Sequence, residues 1–245
     1  MARLQNKTAV ITGGTTGIGF ETAKLFIAEG ARVLITGTSE ERLAAAAEQL
    51  GENAIAVRSD VRDLADLDRL AAQVEATLGT FDILFVNAGV AKSAPFRQVT
   101  EANYDEEMQI NLKGTFFTVQ KLEPLMREGG SIVLNTTTLA QTAMAGESVY
   151  SASKAAVRSL ARSLSLELLD RKLRVNAVAP GPIETPIWAK MELSEHSAQQ
   201  VLQRTPAGRF GKPEEIAKAV LFLASDDSLF ILGEEILIDG GWATL

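Results

Sequence analysis

Short apolar runs alternate with segments of helical spacing along almost the whole chain. The runs are apolar on both sides and rich in β-branched residues, which is typical of strands buried on both faces of a sheet. The predicted strands are Thr8–Thr12, Arg32–Thr36, Ala54–Arg58, Asp82–Val86, Ser131–Thr136, Arg174–Ala179 and Glu235–Ile238. The predicted helices are 17–29, 40–50, 63–79, 102–127, 149–170 and 213–224. This alternation predicts an α/β fold with a doubly wound, seven-stranded parallel sheet flanked by helices.

The chain is predicted to form one domain. Its 245 residues contain no repeat, no low-complexity stretch and no linker rich in Pro, Gly or Ser, so we assign residues 1–245 to a single unit. The least regular stretch is Gly181–Arg209, which holds several prolines and a short helical piece near 189–203. Long irregular excursions in compact domains are often functional, so we expect a substrate lid at about 181–209.

Composition excludes several classes of site and partner. The chain has no Cys and one His, His196, which argues against a thiolate nucleophile, a His-based zinc site or a Ser-His-Asp triad. Among the acidic residues Asp60, Asp63, Asp66 and Asp68, all but Asp60 fit a helix N-terminus better than a metal site, so no metal is expected. The formal charge of −7 disfavours nucleic acid. Without a membrane-length apolar run or a signal-peptide pattern, we expect no membrane association and a cytoplasmic location.

A glycine-rich segment, Thr12–Gly19, lies where the first strand meets the first helix. Gly13 permits a tight turn, Gly17 lets the backbone approach a pyrophosphate, and Gly19 lets the helix pack closely on the sheet. The helix N-terminus would offer free N–H groups to the anion. Thr15, Thr16 and Ile18 belong to the same predicted binding loop. The alternative is a glycine-rich turn that serves packing alone.

Tyr150 and Lys154 are four residues apart at the start of a predicted helix, so both side chains project from one face. A nearby ammonium favours the phenolate and makes a tyrosine a better acid–base group at neutral pH. Thr137 lies just beyond a predicted strand, where its hydroxyl can hold a substrate oxygen for Tyr150. The alternative for the Tyr-x-x-x-Lys pair is an ordinary solvated helix face.

The motifs together resemble the short-chain dehydrogenase/reductase superfamily, over nearly the whole chain. The resemblance rests on Thr12–Gly19, Asp60-Val61, Asn87-Ala88-Gly89, Asn111, Tyr150–Lys154, Pro180-Gly181 with Thr185, and Asp239-Gly240-Gly241. It implies a single-domain Rossmann fold with strand order 3-2-1-4-5-6-7. It also implies reversible reduction of a carbonyl to an alcohol with a nicotinamide cofactor. An epimerase or dehydratase, or a non-catalytic nucleotide-sensing or structural protein on the same fold, remains the alternative.

The resemblance also implies roles for individual residues. Tyr150 is the general acid/base, Lys154 lowers its pKa and holds the nicotinamide ribose, and Asn111 anchors a water in a proton relay. Thr137 replaces the family's usual serine, and Thr136 is the alternative if the register shifts by one. The resemblance further implies that Asp60 and Val61 contact the adenine, that Asn87 faces the adenine-side ribose, and that Ile183 and Thr185 contact the nicotinamide carboxamide. The other cofactor-binding residues implied are Ala88, Gly89, Pro180 and Gly181.

Cofactor selectivity is expected after the second strand, at Gly37, Thr38 and Ser39. NAD-preferring relatives carry an acidic residue at the position that is Gly37 here, so nothing repels a 2′-phosphate. Thr38 and Ser39 offer hydroxyls, Ser39 is a predicted N-cap, and Arg42 follows one turn later. We therefore favour NADP(H), with NAD(H) as the alternative.

The substrate is predicted to be a small carbonyl or alcohol compound contacted by Met144, Glu147 and Trp188. Members of the resembling family often assemble as tetramers through the helices predicted here at 102–127 and 149–170. A homotetramer is therefore expected, with the apolar segment Gly233–Leu245 buried on assembly.

Overall fold

The computed structural model describes residues 2–185 and 195–245. A seven-stranded parallel sheet runs through its centre, with strand order β3-β2-β1-β4-β5-β6-β7, as predicted. The strands are β1 (Thr8–Ile11), β2 (Arg32–Gly37), β3 (Ala54–Arg58), β4 (Phe81–Val86), β5 (Met126–Asn135), β6 (Arg174–Pro180) and β7 (Glu235–Ile238). The predicted fold class is thereby confirmed.

Helices cover both faces of the sheet. They are α1 (Gly17–Ala28), α2 (Glu40–Leu50), α3 (Leu64–Leu78), α4 (Glu101–Met108), α5 (Thr115–Leu122), α6 (Ser148–Glu167), α7 (Glu195–Arg204) and α8 (Pro213–Ala224). Successive side chains of a strand point to opposite faces. Accordingly, Ile11 of β1 packs in the core layer that contains Phe26 of α1 and Val220 of α8, whereas Val10 packs with Leu70 of α3 and Val157 of α6.

The predicted helix at 102–127 is wrong as a single helix. The segment divides into α4, a π-helical stretch at Gln109–Gly114, α5 and a 3-10 turn at Glu123–Leu125. Pro124, which lacks a backbone N–H, lies in that last turn. The chain is already extended at Met126, which pairs with Phe81, whereas we predicted a strand only from Ser131. The pairing of β4 with β5 then shifts register, and Gly129 and Gly130 lie inside β5. For this reason the first half of β5 was not predicted from the sequence.

The parallel strands all end at one edge of the sheet, and the loops that follow them form the candidate site. No helix of the described residues has the length and apolar character needed to cross a bilayer. Of the lid predicted at about 181–209, the structure describes residues 181–185 and 195–209, and α7 lies in the second of these parts.

Candidate functional site

The glycine turn after β1 is held by the loop after β4. Gly13 and Gly17 both have positive φ, at 65° and 56°. The Asn87 side-chain amide donates to the carbonyl oxygens of Thr12 (3.1 Å) and Gly13 (3.0 Å), while the Thr12 hydroxyl accepts from the Asn87 backbone (3.0 Å). A Cβ at Gly19 would lie 2.3 Å from the Gly13 oxygen, so a side chain at this position would clash with the glycine turn.

A cavity of about 440 Å³ extends from this turn across the carboxyl ends of the strands to Tyr150 and Lys154. Most of the sequence-predicted site residues line it, on both sides of the sheet's switch point between β1 and β4. They are Gly13, Thr15, Thr16, Gly17, Ile18, Gly37, Thr38, Asp60, Val61, Asn87, Ala88, Gly89, Thr137, Met144, Glu147, Tyr150, Lys154, Pro180, Gly181, Ile183 and Thr185. Gly19, Ser39 and Asn111 do not line the cavity, and Trp188 lies outside the described residues.

The end of the cavity near β2 and β3 is shaped by helix caps and arginines. Ser39 is the N-cap of α2, as predicted, and its hydroxyl accepts from the Arg42 backbone N–H at 3.3 Å. Arg42 and Arg62 both line this end. Arg62 also pairs with Asp60 (Nη2 to Oδ2, 2.6 Å), and this hydrogen bond holds the pKa of Asp60 below its usual value. The carboxylate expected to meet an adenine is therefore already engaged by Arg62.

The acidic scatter at 60–68 organises the start of α3. Asp63 is the N-cap and accepts from the Ala65 backbone N–H at 2.9 Å, as the predicted helix terminus requires. Asp66 is buried and accepts from the Asp60 backbone at 3.0 Å, so it fixes the loop that presents Asp60 to the cavity. Within the described ranges, no group of His, Cys, Asp or Glu side chains is arranged to hold a metal ion.

Tyr150 and Lys154 lie in the first turns of α6, and Thr137 follows β5. The Lys154 ammonium donates to the Asn135 carbonyl at 2.7 Å and lies 6.0 Å from the centre of the Tyr150 ring. The Thr137 hydroxyl lies close enough to the Tyr150 phenol to lower its pKa by hydrogen bonding, and it also accepts from the Leu139 N–H (3.4 Å) and lies 3.5 Å from the Pro180 carbonyl oxygen. The neighbouring Thr136 hydroxyl lies instead within hydrogen-bond distance of Val178 (2.9 Å) and Glu235 (2.5 Å). The structure thus brings Thr137, and not Thr136, to the phenol.

Burial controls the protonation of this pair. It raises the pKa of Tyr150 to about 12, opposed by the hydrogen bond with Thr137 and reinforced by the charges of Glu147 and Glu107. It lowers the pKa of Lys154 to about 8. We expected Lys154 to lower the pKa of Tyr150. The pKa of Tyr150 is instead raised, because the free-energy cost of removing the phenolate from water exceeds its stabilisation by the Thr137 hydroxyl.

Asn111 acts on the backbone beside the cavity. Its side chain lies in the π-helical stretch, accepts from the Val90 N–H at 2.9 Å and donates to the Val90 carbonyl at 2.9 Å. It also donates to the Ser153 hydroxyl at 3.1 Å. The side chain therefore ties the loop after β4 to α6, next to Lys154. The water-anchoring role implied for Asn111 stays a prediction.

Comparison with known proteins shows where the chain belongs. The family model described as enoyl-(acyl carrier protein) reductase matches residues 13–243. Oxidoreductase asL5 of Sarocladium schorii is 46% identical over 99% of this chain and 98% of its own length. The 3-oxoacyl-[acyl-carrier-protein] reductase FabG of Thermotoga maritima is 39% identical over 98% of both chains. A mutant short-chain dehydrogenase/reductase of Serratia marcescens superposes with a TM-score of 0.92 at 32% identity, over 99% of this chain and 100% of that one.

The chain belongs to the short-chain dehydrogenase/reductase superfamily. It is an oxidoreductase. Members of this superfamily generally use nicotinamide dinucleotides, and in this short-chain dehydrogenase/reductase one cavity extends from the glycine turn to Tyr150.

One part of the cavity wall in this short-chain dehydrogenase/reductase could not be predicted from the sequence. Trp242 lines the cavity, and the Arg204 guanidinium lies 4.6 Å from the centre of its ring. Arg204 also donates to the Ala143 carbonyl at 3.1 Å, so it joins α7, the C-terminal segment and the loop that carries Met144. We had assigned the C-terminal segment to subunit packing. No spacing in the sequence signals that its aromatic residue folds back to the site.

Proposed function

We propose that this short-chain dehydrogenase/reductase interconverts a carbonyl and a secondary alcohol of a small molecule by hydride transfer, with Tyr150 as the general acid/base. One observation carries the proposal. The hydroxyls of Thr137 and Tyr150 lie next to each other in the wall of a cavity whose other end is the glycine turn. Two hydroxyls at one point can bind a substrate oxygen and exchange a proton with it.

The residues of the cavity fit a dinucleotide. The positive-φ glycines expose the backbone N–H groups at the start of α1, which suit a pyrophosphate. Asp60 and Val61 line the adenine end, and Ile183 and Thr185 line the nicotinamide end. When bound there, the dinucleotide supplies or accepts the hydride.

The chain's own residues move the proton. With a pKa of about 12, Tyr150 is protonated at neutral pH and can donate to a carbonyl oxygen as that carbonyl is reduced. In the reverse direction, the Tyr150 phenolate takes the proton from the alcohol. Because the pKa of Tyr150 is raised, this phenolate is a stronger base than an ordinary tyrosinate. Thr137 fixes the substrate oxygen at Tyr150. Lys154 has a pKa of about 8, so its side chain is positively charged beside Tyr150 at neutral pH and becomes neutral as the pH rises above about 8.

We further propose a preference for NADP(H), with NAD(H) as the alternative. No carboxylate follows β2 at Gly37, and Thr38 and Arg42 line the cavity at this point. Arg42 has no ion pair within the described part of the chain, so its charge is available to a 2′-phosphate. Electrostatic attraction of this kind raises affinity for the phosphorylated cofactor.

Introducing a carboxylate at Gly37 tests the preference. A Cβ there would lie 2.8 Å from the Thr15 Cγ2 methyl, so Gly37→Asp is combined with Thr15→Ser, which removes that methyl and keeps the hydroxyl. We expect the NADPH/NADH ratio of kcat/KM to fall about tenfold to a hundredfold, as expected for a new like charge at a phosphate site. Thr15→Ser alone is the control. An unchanged ratio, or a wild-type preference for NADH, contradicts the assignment.

The quaternary proposal is a cytoplasmic homotetramer of single-domain subunits, each with a lid at about 181–209. It is supported by exposed apolar side chains on the helices expected to meet a neighbour: Phe116 of α5 is 39% exposed and Leu166 of α6 is 73% exposed. Both residues lie in the segments through which subunits are expected to meet, and exposed apolar side chains there suit an interface.

A panel of ketones together with an enoyl thioester tests the proposed reaction. We expect NADPH oxidation, followed by loss of cofactor absorbance, with at least one carbonyl compound and not with the enoyl thioester. Turnover of the enoyl thioester alone contradicts carbonyl reduction. Binding of NADPH without turnover of any compound favours the non-catalytic alternative.

A further inference from the structure

Two buried carboxylates lie beside Tyr150 without a cationic partner among the described residues. Glu147 is 2% exposed and Glu107 is 1% exposed. The Ser93 hydroxyl donates to one oxygen of Glu147, and the Lys92 backbone N–H donates to Glu107 at 2.7 Å. The Lys92 ammonium pairs with Glu106 instead. Burying a carboxylate with so few partners is costly, which calls for a compensating role.

Capping of α6 does not supply that role. Glu147 immediately precedes α6, yet its side chain accepts no hydrogen bond from the first turn of the helix. Through the parts of the chain that the structure describes, Ser93 is its hydrogen-bond partner, and the second carboxylate oxygen has none. Glu147 lines the cavity that contains Tyr150 and Thr137. The second carboxylate oxygen of Glu147 is therefore available to a substrate bound in this cavity.

The two carboxylates differ in access. Glu107 does not line the cavity, whereas Glu147 does. Burial raises the pKa of each, and the charge of Glu147 raises that of Glu107 further. Glu107 thus adds negative potential behind Glu147, and the side of the cavity near residue 147 repels anions and attracts hydrogen-bond donors.

Resting on the proposed function, we propose that Glu147 determines substrate specificity by accepting a hydrogen bond from a hydroxyl or ammonium group on a carbon close to the reacting carbon. Glu147 immediately precedes α6, Tyr150 lies three residues later in its first turn, and both residues line the cavity. A donor group close to the reacting carbon can therefore meet Glu147 while the substrate oxygen lies at Tyr150. The same carboxylate disfavours a substrate with a carboxylate or phosphate at that position.

Four small secondary alcohols of similar size test the assignment: 2,3-butanediol, 1-amino-2-propanol, 2-butanol and lactate. We expect wild-type kcat/KM to be at least about tenfold higher for the diol or the amino alcohol than for 2-butanol, and lowest for lactate. Glu147→Gln keeps the size of the side chain and removes its charge. It is expected to lower kcat/KM about tenfold to a hundredfold for the preferred donor substrate, with 2-butanol unchanged.

The two donor chemistries separate in the same experiment. An effect of Glu147→Gln on the amino alcohol well above that on the diol identifies an ammonium substrate. A comparable or larger effect on the diol identifies a hydroxyl substrate. Cofactor affinity and thermal unfolding of the variant, measured alongside, show that the protein is folded and loaded.

Two further variants separate substrate contact from other roles. Ser93→Ala removes the hydrogen bond from the Ser93 hydroxyl to Glu147 and leaves the Glu147 carboxylate in place. Glu107→Gln removes a nearby buried charge outside the cavity. Both are expected to keep the substrate order of the wild type. The assignment is overturned if either variant reproduces the Glu147→Gln selectivity change, if Glu147→Gln affects all four alcohols equally, or if lactate or 2-butanol is the best substrate. Absence of turnover with these alcohols and with every carbonyl of the earlier panel overturns the proposed function itself.

Discussion

Tyr150→Phe is expected to lower kcat for carbonyl reduction about a thousandfold, within the range that general acid–base groups contribute. The substitution removes one oxygen and keeps the ring that lines the cavity. Since the ring remains, the dissociation constant of NADPH should change little. Steady-state rates and fluorescence titration of the cofactor measure the two effects separately.

The chain provides a matched control for this substitution. Tyr104 is the other of its two tyrosines and is 48% exposed on α4, away from the cavity lining. Tyr104→Phe should keep the wild-type rate. If Tyr150→Phe retains more than about a tenth of the activity, another group donates the proton and the assignment of Tyr150 is wrong.

Thr137→Val is expected to lower kcat about a hundredfold, because loss of a single donor at a reacting oxygen typically costs that much. Valine has nearly the shape of threonine, so the change keeps the packing and removes the hydroxyl, which lies beside Tyr150 and also caps the turn at Thr138–Ala140 through the Leu139 N–H. The effect should appear in kcat more than in the affinity for cofactor. Stopped-flow measurement of NADPH oxidation at saturating carbonyl substrate gives the value.

Thr137→Ser distinguishes the hydroxyl from the methyl group. Serine keeps the hydroxyl and frees χ1, so activity should stay within a few-fold of the wild type. Loss of activity in Thr137→Ser equal to that in Thr137→Val would show that packing of the methyl, and not hydrogen bonding, is what the site requires.

The sheet could be predicted because its strands are buried on both faces and therefore apolar throughout. The strand order followed from the superfamily resemblance, and the structure has the same order. The break in the helix predicted at 102–127 could not be predicted from apolar spacing, because a π-helical stretch keeps the side chains near helical positions. The early start of β5 was hidden by two glycines, which carry no β propensity.

The cavity-lining residues of the glycine turn and α6 were predicted because short motifs fix them locally. Two features could not be found in this way. Asn87 holds the glycine turn across more than seventy residues of sequence, and Trp242 reaches the cavity only after the C-terminal segment folds back. The pKa direction of Tyr150 was also out of reach, because desolvation depends on neighbours such as Glu107 that spacing does not reveal.

Transfer of isotope from cofactor to product tests the central claim most directly. NADPH deuterated at either face of the nicotinamide C4 is incubated with a carbonyl substrate, and the alcohol is analysed by mass spectrometry. The account predicts one deuterium on the carbinol carbon from one of the two faces, for each cofactor oxidised. Product hydrogen drawn from solvent, or cofactor oxidation without an alcohol product, would contradict direct hydride transfer in this cavity.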